Sequence, residues 1–215
     1  MEFILPQDIE DYAALSSSPE PILLTDLQRE TFLKVLHPRM LSGHVQGRFL
    51  SLLSKLAAPR RILEIGTYTG YSALCMAEGL APDGELVTID CNDELAPIQS
   101  KYINMAGMED KIKLVYGDAL EIIPTLTGPW DMVFIDADKA NYLNYFRLIR
   151  DSISPGGLLI ADNVLWTGKV LNPAATSDLD TLGLQVFSQE LAADPQFETT
   201  LLTIRDGLTV ARKRR

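Results

Sequence analysis

The sequence predicts an α/β fold: a doubly wound, mostly parallel, seven-stranded sheet with an antiparallel hairpin at its carboxyl end and a helical extension at its amino end. Three observations support this prediction. From Ile62 onward, short apolar runs alternate with helical patterns, as in parallel sheets covered by helices. The last two apolar runs are separated only by the turn residues 205–207, which is typical of an antiparallel hairpin. Upstream of Arg61 the apolar residues have helical spacing.

The elements follow in order along the chain. Apolar spacing over residues 27–36 and 45–56 predicts two helices in the extension. Five short apolar runs then predict parallel strands, at residues 61–65, 85–90, 111–116, 131–136 and 157–162. Helices are expected between these strands, beginning near Tyr71, Asp93, Ala119 and Asn141.

The carboxyl end has its own pattern. A helix is predicted over residues 178–193, and Pro195 ends it. The hairpin strands are predicted at residues 197–204 and 208–213. With the five parallel strands, they complete a sheet of seven.

Length and charge limit the possible classes of protein. A chain of 215 residues is expected to form one domain, with residues 1–57 as the helical extension and residues 58–215 as the α/β core. The net charge of -10 disfavours nucleic-acid and membrane partners, because phosphates and anionic lipids repel an acidic surface. The basic run 212–215 is interpreted as a solvated tail.

The location is predicted to be cytoplasmic. The first six residues lack a cationic region and a long apolar stretch, so they do not read as a secretion signal. Cys75 and Cys91 lack C-x-x-C spacing and are expected to be buried thiols in a reducing compartment.

The first parallel strand runs into a glycine-punctuated turn, residues 64–72, that opens a helix. This turn is neither G-x-G-x-x-G nor a P-loop, which favours a ligand without phosphate in the crevice at the strand ends. A carboxylate at Glu64 suits an amine or sulfonium charge, and Gly66 lets backbone approach the ligand. Ser72 places a hydroxyl where a ligand carboxylate could accept its hydrogen bond.

The next two strand ends also carry acidic residues. Asp90 lies where an acidic residue commonly binds ribose hydroxyls, and residues 116–119 could border an adenine. Each feature has a plainer interpretation: Glu64 as an exposed charge, Gly66 as an ordinary turn glycine, and Asp118 as a helix N-cap. Three acidic strand ends in succession nevertheless favour a nucleoside site.

The fourth and fifth strands end in polar segments, residues 134–142 and 160–166. If these strands are neighbours, two carboxylates and one amide oxygen converge, a donor set that suits Mg²⁺, Ca²⁺ or Mn²⁺, and no His or Cys is near to favour zinc. The alternative is that Asp162 and Asn163 are a turn pair, and that Asp136 and Asp138 are solvated acids.

Together, residues 63–72, the string 136–142 and the pair Asp162-Asn163 resemble the motifs of class I S-adenosylmethionine-dependent methyltransferases. More narrowly, they resemble the cation-dependent caffeoyl-CoA and catechol O-methyltransferase family with its bacterial relatives, which has a Rossmann-like fold and usually forms homodimers. The resemblance extends from about residue 40 to the carboxyl-terminal hairpin. It implies cofactor contacts at Ser42, Glu64, Gly66, Thr67, Tyr68, Ser72, Asp90, Ala119 and Asp138.

The same resemblance implies Asp136, Asp162 and Asn163 as ligands of a divalent cation, with Mg²⁺ favoured over Mn²⁺ or Ca²⁺. It also implies Lys139 as catalytic base beside Asp136. Two adjacent hydroxyls on a small aromatic substrate could displace two waters from the cation, which lowers the pKa of the reacting hydroxyl. Lys139 then either takes up the proton or stays charged and stabilises the phenolate.

The substrate-facing residues match the family less well. Where the family often has Ser-Pro-Glu-x-Gly-Gln, residues 42–48 read Ser-Gly-His-Val-Gln-Gly-Arg, so the cofactor contact implied at Ser42 remains while the neighbouring residues differ. Trp166 is a candidate aromatic wall, and Arg48 or Lys169 a candidate partner for an acidic substrate group. A packing role for Trp166 is equally open.

Three other functions are weighed. A metal-independent methyltransferase of the same fold, acting on nucleic acid or protein, commonly carries an Asn-Pro-Pro-Tyr-like string after the fourth strand, and this sequence has none. A nicotinamide dehydrogenase is opposed by the missing third glycine and by the terminal hairpin. A non-catalytic nucleoside-binding module would have lost Lys139 or part of the metal trio, and all four residues are present.

Overall fold

The computed structural model describes residues 6–215, so the prediction made from the first residues of the chain lies largely outside it. The α-helices are α1 Gln7–Leu15, α2 Ile22–Lys34, α3 Gly43–Ala57, α4 Tyr71–Ala77, α5 Ala96–Met105, α6 Ala119–Ile122, α7 Tyr142–Ile149 and α8 Leu179–Ala193. The strands are β1 Arg61–Ile65, β2 Glu85–Asp90, β3 Ile112–Tyr116, β4 Trp130–Ile135, β5 Ile153–Asp162, β6 Phe197–Leu202 and β7 Leu208–Lys213. Short 3₁₀ helices lie at Pro38–Met40, Asp93–Leu95, Ile123–Thr125, Lys139–Asn141, Arg150–Ser152 and Trp166–Leu171.

The sheet has seven strands in the order β3-β2-β1-β4-β5-β7-β6. The strands β1 to β5 pair in parallel, and β7 pairs antiparallel with both β5 and β6. This confirms the predicted doubly wound sheet with its terminal hairpin. The strand order reverses between β1 and β4, which is where ligands bind in open α/β sheets.

The register brings three strand ends to the same place. Ile65 pairs with Ile135, and Ile135 pairs with Ala161. The next residues, Gly66, Asp136 and Asp162, therefore lie side by side at the carboxyl edge of the sheet.

Both faces of the sheet are buried, as expected for central parallel strands. Along β4, Val133 and Ile135 belong to a core that includes residues of α7 and α8. The alternating residues Met132 and Phe134 belong to a second core that includes residues of α3, α4 and α5. Because successive side chains of a strand point to opposite faces, an unbroken apolar run is needed here.

The helical extension packs on the second core through α3. Leu50 of α3 is fully buried, and Gly47 lies so close to α4 that a Cβ there would meet the Tyr71 ring at 2.6 Å. The extension also contains α1, which the sequence did not predict. Among residues 6–215, no helix is both long enough and apolar enough to cross a membrane.

Several predicted boundaries shift by a few residues. The helix expected near Asp93 begins as a 3₁₀ turn capped by Asn92, and α5 itself starts at Ala96. The strand β5 starts four residues earlier than predicted, and β6 ends two residues earlier. The prediction that both thiols are buried was wrong for one: Cys75 is buried, whereas Cys91, just beyond β2, is exposed.

Candidate active site at the carboxyl edge of the sheet

The centre of the site is the close approach of Gly66, after β1, to Asp136, after β4. The Asp136 amide donates to the Ile65 carbonyl at 2.8 Å. A Cβ built on Gly66 would lie 2.0 Å from the Asp136 carbonyl oxygen, and Gly66 has φ of 101°. Only glycine satisfies both conditions, so this position is set by backbone contact.

Glu64 is fully buried directly before this turn. Its carboxyl group accepts hydrogen bonds from the hydroxyls of Ser72 and Thr88. Burial raises the pKa of Glu64 from its ordinary value to about 8. The structure therefore encloses Glu64 behind the turn, with the Ser72 hydroxyl directed toward it, and the interpretation of Glu64 as an exposed charge was wrong.

Asp90, after β2, holds the backbone of the turn. One of its oxygens accepts from the Tyr68 amide at 2.6 Å, and the other from the Asn92 amide at 2.8 Å. Tyr68 has φ of 50°, a strained value for a non-glycine residue, and the contact with Asp90 stabilises it. Thr67 is buried beside Tyr68 with its hydroxyl against that of Thr88.

A crevice lies between this turn and the extension. Residues from both sides line it, namely Met40, Leu41, Ser42, Gly66, Thr67, Tyr68, Tyr71, Ser72 and Asp136. Ser42 thus lies beside the glycine-punctuated turn, and its contact with a cofactor stays a prediction.

Four predicted cofactor residues lie outside the lining of this crevice: Glu64 and Asp90, described above, and Ala119 and Asp138. Ala119 is buried at the start of α6, and the neighbouring Asp118 caps that helix by accepting from the Leu120 amide at 2.8 Å. Asp138 is exposed, and its carboxylate accepts from Asn141 and Tyr145. For Asp118 the plainer interpretation, an N-cap, is the observed one.

The second half of the site is built by the ends of β4 and β5. Lys139 is buried at the start of the 3₁₀ turn after β4, and its Nζ donates to Asp136 Oδ1 at 3.0 Å. The same Nζ donates to the Tyr142 hydroxyl at 2.7 Å. Lys139 is therefore held at two points beside Asp136.

Tyr142 is a site residue to which the sequence analysis gave no role. Its side chain is fully buried, and its hydroxyl donates to the Asp162 carbonyl at 2.9 Å. It therefore joins Lys139 to the end of β5. The spacing of Lys139 and Tyr142, three residues apart across a helix start, was the available signal.

Asp162 is almost completely buried at the end of β5. Its Oδ2 accepts from Gln46 Nε2 at 2.6 Å, and its Oδ1 accepts from the Asn163 amide at 2.7 Å. Burial, followed by the negative charge of Asp136, raises the pKa of Asp162 to about 6. Gln46, which lies 116 residues earlier in the chain, is a second contact that sequence reasoning missed.

The donor set fits a hard divalent cation. Two carboxylates, Asp136 and Asp162, influence each other electrostatically, and Asn163 adds an amide oxygen at the same strand end. Asn163 has φ of 56°, in the left-handed region where strain is often tolerated at functional sites. Among residues 6–215, no group of three or more His, Cys, Asp or Glu side chains is arranged for metal binding, so a cation here would need the amide as its third protein ligand.

The two predicted substrate contacts differ in position. Trp166 lies near Lys139, with its ring centroid 5.9 Å from Lys139 Nζ. Arg48 does not come to the site: its guanidinium bonds to both oxygens of Glu78, beyond the end of α4, and its side chain is 12% exposed. The structure therefore argues against Arg48 as a substrate contact, because its charge is already paired.

Comparison with known proteins adds independent information. Residues 14–214 match the family described as O-methyltransferase. Caffeoyl-CoA O-methyltransferase 2 of Petunia hybrida is 35% identical over 222 residues, covering 97% of this chain and 90% of that protein. Catechol O-methyltransferase of Niastella koreensis is 37% identical over 175 residues, covering 77% of this chain and 79% of that protein.

A solved structure is similar over nearly the full length. The O-methyltransferase from Bacillus cereus in complex with SAH superimposes with a TM-score of 0.89 at 30% identity, covering 96% of this chain and 97% of that one. The fold similarity therefore includes a structure determined with the demethylated cofactor bound.

Proposed function

This chain belongs to the O-methyltransferase family and is an S-adenosylmethionine-dependent enzyme; from this premise we propose that it methylates one of two adjacent hydroxyls of a small aromatic substrate, held by a divalent cation. The observation that carries the proposal is the pairing of buried Asp162 with Asp136, beside the buried Lys139. Two neighbouring carboxylates repel each other and contribute little to stability. Their presence together therefore favours a functional role, here the binding of a cation.

In this proposal Asp136, Asp162 and Asn163 hold the cation, with Mg²⁺ as the first candidate because all three donors are oxygens. The cation would orient the two hydroxyls and lower the pKa of the one that reacts. The two related proteins named for caffeoyl-CoA and catechol are consistent with such a phenolic substrate class.

Lys139 is proposed as the base. A neutral lysine amine has two N–H groups and one lone pair. Asp136 and Tyr142 accept from Nζ, so both N–H groups are used and the lone pair remains for the proton of the substrate hydroxyl. Tyr142 keeps its own proton, because burial raises its pKa well above the ordinary value.

Trp166 is proposed as one wall of the substrate pocket. It is half-buried, and the Nζ atoms of Lys139 and Lys169 each lie 5.9 Å from its ring centroid. A flat aromatic substrate stacked on this indole would have a hydroxyl within range of Lys139.

The cofactor side is proposed to act mainly through shape. Gly66 lets the turn close against the Asp136 carbonyl, Ser42 would cover the cofactor from the extension, and Asp90 is the candidate partner of the ribose. Methyl transfer by direct displacement requires the sulfonium methyl group to be aligned with the attacking oxygen of the substrate. The rigid turn would hold the methyl group toward that oxygen.

The test is methyl transfer from labelled S-adenosylmethionine to a panel of aromatic vicinal diols, with EDTA and after Mg²⁺ is restored. We expect activity to disappear with the chelator and to return with the ion. Full activity in EDTA would contradict the metal requirement. Methylation of single phenols at the same rate as diols would contradict the substrate class.

We also propose that the enzyme is a homodimer. The helical extension exposes large apolar side chains, including Leu15, Leu33, Leu36 and Leu56, each more than 70% exposed. Such a concentration of apolar surface is typical of an interface between protein chains. Sedimentation velocity over a range of concentrations tests this, and a monomer at all concentrations would contradict it.

A further inference from the structure

The helical extension reaches the proposed metal side of the site through one buried amide. Gln46 of α3 is fully buried, and its Nε2 donates to Asp162 Oδ2 at 2.6 Å. A hydrogen bond from a neutral donor to a buried carboxylate is strong and directional. Gln46 on Oδ2, together with the Asn163 amide on Oδ1, therefore fixes the direction in which Asp162 points.

Arg205, in the turn between β6 and β7, determines the orientation of that amide. Its NH1 lies 3.4 Å from Gln46 Oε1. Arginine is only a donor, so it requires the amide oxygen on its side. The amide nitrogen must then face Asp162, whose carboxylate requires a donor.

Arg205 has a second contact, with the cofactor side. The same NH1 donates to the carbonyl of Ser42, at the start of α3. The turn that carries Arg205 is itself fixed, since the Asp206 carbonyl accepts from the Leu165 amide at 2.9 Å and the Asp206 carboxylate accepts from the Thr167 amide at 2.6 Å. Ser42, Gln46 and Asp162 are thus tied to one guanidinium on a braced turn.

We propose that Gln46 is a positioning residue that holds Asp162 in the orientation for metal binding, and that Arg205 positions Gln46 and Ser42 together. This inference rests on the proposed metal dependence. It makes the extension part of the metal site as well as a cover for the cofactor. It also links the two halves of the site, because one arginine contacts residues of both.

The test measures metal binding directly. Mn²⁺ is titrated into the full chain and followed by electron paramagnetic resonance of the free ion, and binding of S-adenosylhomocysteine is measured by calorimetry. Gln46→Met keeps the length of the side chain and removes the donor. We expect its Mn²⁺ dissociation constant to rise by about 10- to 100-fold, the usual effect of losing a partner of a metal ligand, while S-adenosylhomocysteine affinity changes by less than about twofold.

Ser54→Ala is the matched control. Ser54 is also a buried polar residue of α3, and its hydroxyl donates to the Met76 carbonyl at 2.6 Å, away from Asp162. We expect its Mn²⁺ affinity to equal that of the wild type. An equal loss in Ser54→Ala and Gln46→Met would show a general effect of loosening α3 and would overturn the inference.

Arg205→Met provides a second variant if Gln46→Met does not fold. It is expected to weaken Mn²⁺ binding by about tenfold, at the lower end of such effects, and to weaken S-adenosylhomocysteine binding as well, because Ser42 loses its contact. In activity assays, Gln46→Met should need more Mn²⁺ for half-maximal rate and recover most of its kcat at saturating ion, which a global packing defect would not do.

The outcomes separate the two proposals. If the wild type binds Mn²⁺ and Gln46→Met and Arg205→Met bind it equally well, the positioning role is wrong and the metal site stands. If the wild type binds no Mn²⁺, the metal dependence is wrong and the positioning role falls with it.

Discussion

The two halves of the site use carboxylates in opposite ways. At the ends of β1 and β2, Glu64 and Asp90 are bound by hydroxyl and backbone N–H donors, and they shape a turn. At the ends of β4 and β5, Asp136 and Asp162 lie close enough for each charge to affect the other, with a buried lysine beside them. Both pairs accept hydrogen bonds from the protein, but the second pair places two negative charges together, and a cation would relieve their repulsion.

The largest expected effect is a loss of methyl-transfer activity from a substitution in the second half of the site alone. Asp162→Ala should lower kcat/KM by about a thousandfold or more, corresponding to about 4 kcal/mol of barrier, while the affinity for S-adenosylhomocysteine stays nearly constant. Steady-state kinetics and calorimetry measure the two quantities. Asp118→Ala is the control, since Asp118 is also an acidic residue after a strand but only caps α6. Wild-type turnover in Asp162→Ala would remove the distinction between the two halves.

The next largest effect is a loss of stability from a substitution at Gly66, where the two halves of the site meet. Gly66→Ala should destabilise the fold by about 3 kcal/mol or more, because the added Cβ would collide with the Asp136 carbonyl and the φ of 101° is strained for alanine. Gly70→Ala has a similar φ of 90°, but its Cβ meets nothing within 4 Å, so only the strain of about 1–2 kcal/mol is expected. Chemical unfolding of both variants measures the difference. Equal losses would mean that the contact between β1 and β4 is unimportant.

A third prediction concerns Lys139, the proposed general base in the second half of the site. Lys139→Met should lower kcat by about 10²- to 10³-fold, in the range of general-base catalysis, and should weaken Mn²⁺ binding far less. The pH dependence of kcat should flatten in the variant if the lysine takes up the proton. A variant that loses rate but keeps the wild-type pH profile would instead assign Lys139 a purely electrostatic role.

The smallest expected effect is a pH dependence from the first half. The folded-state pKa of Glu64 is raised from 4.5 to about 8, so the folded chain keeps a proton that the unfolded chain loses. The free energy of unfolding of the metal-free protein should therefore be highest below pH 4.5 as far as Glu64 is concerned, and should fall as pH rises toward about 8.

Glu64→Gln tests this dependence. The comparison is sharpest between pH 6 and 8, above the pKa of about 6 of Asp162 and below that of Glu64. Denaturant unfolding at several pH values should show a decline in the wild type over this window and a flatter curve in Glu64→Gln. The same decline in both proteins would assign it to another group.

Much of the fold was predictable because it depends on local pattern. The alternation of apolar runs and helical spacing predicted the parallel strands, the hairpin and the helices α2 and α3, although α2 begins five residues before the predicted residue 27. Helix α1 was missed, since its described side chains include none that is buried and it therefore shows no core-facing stripe. Boundaries moved where 3₁₀ turns precede a helix, as at Asp93–Leu95, because a capping residue gives little indication of which helix type follows.

The site divides in the same way. The sequence by itself determined which side chains stand at the strand ends, including Gly66, Asp136 and Asp162, because parallel strands direct their carboxyl ends to one edge. Tertiary structure decided which of them are enclosed and which residues support them. Contacts such as Gln46 with Asp162 and Arg205 with Ser42, and the pairing of Arg48 with Glu78, depend on how the extension packs on the sheet. No local spacing encodes contacts between segments so far apart in the chain, so only the packed core decides them.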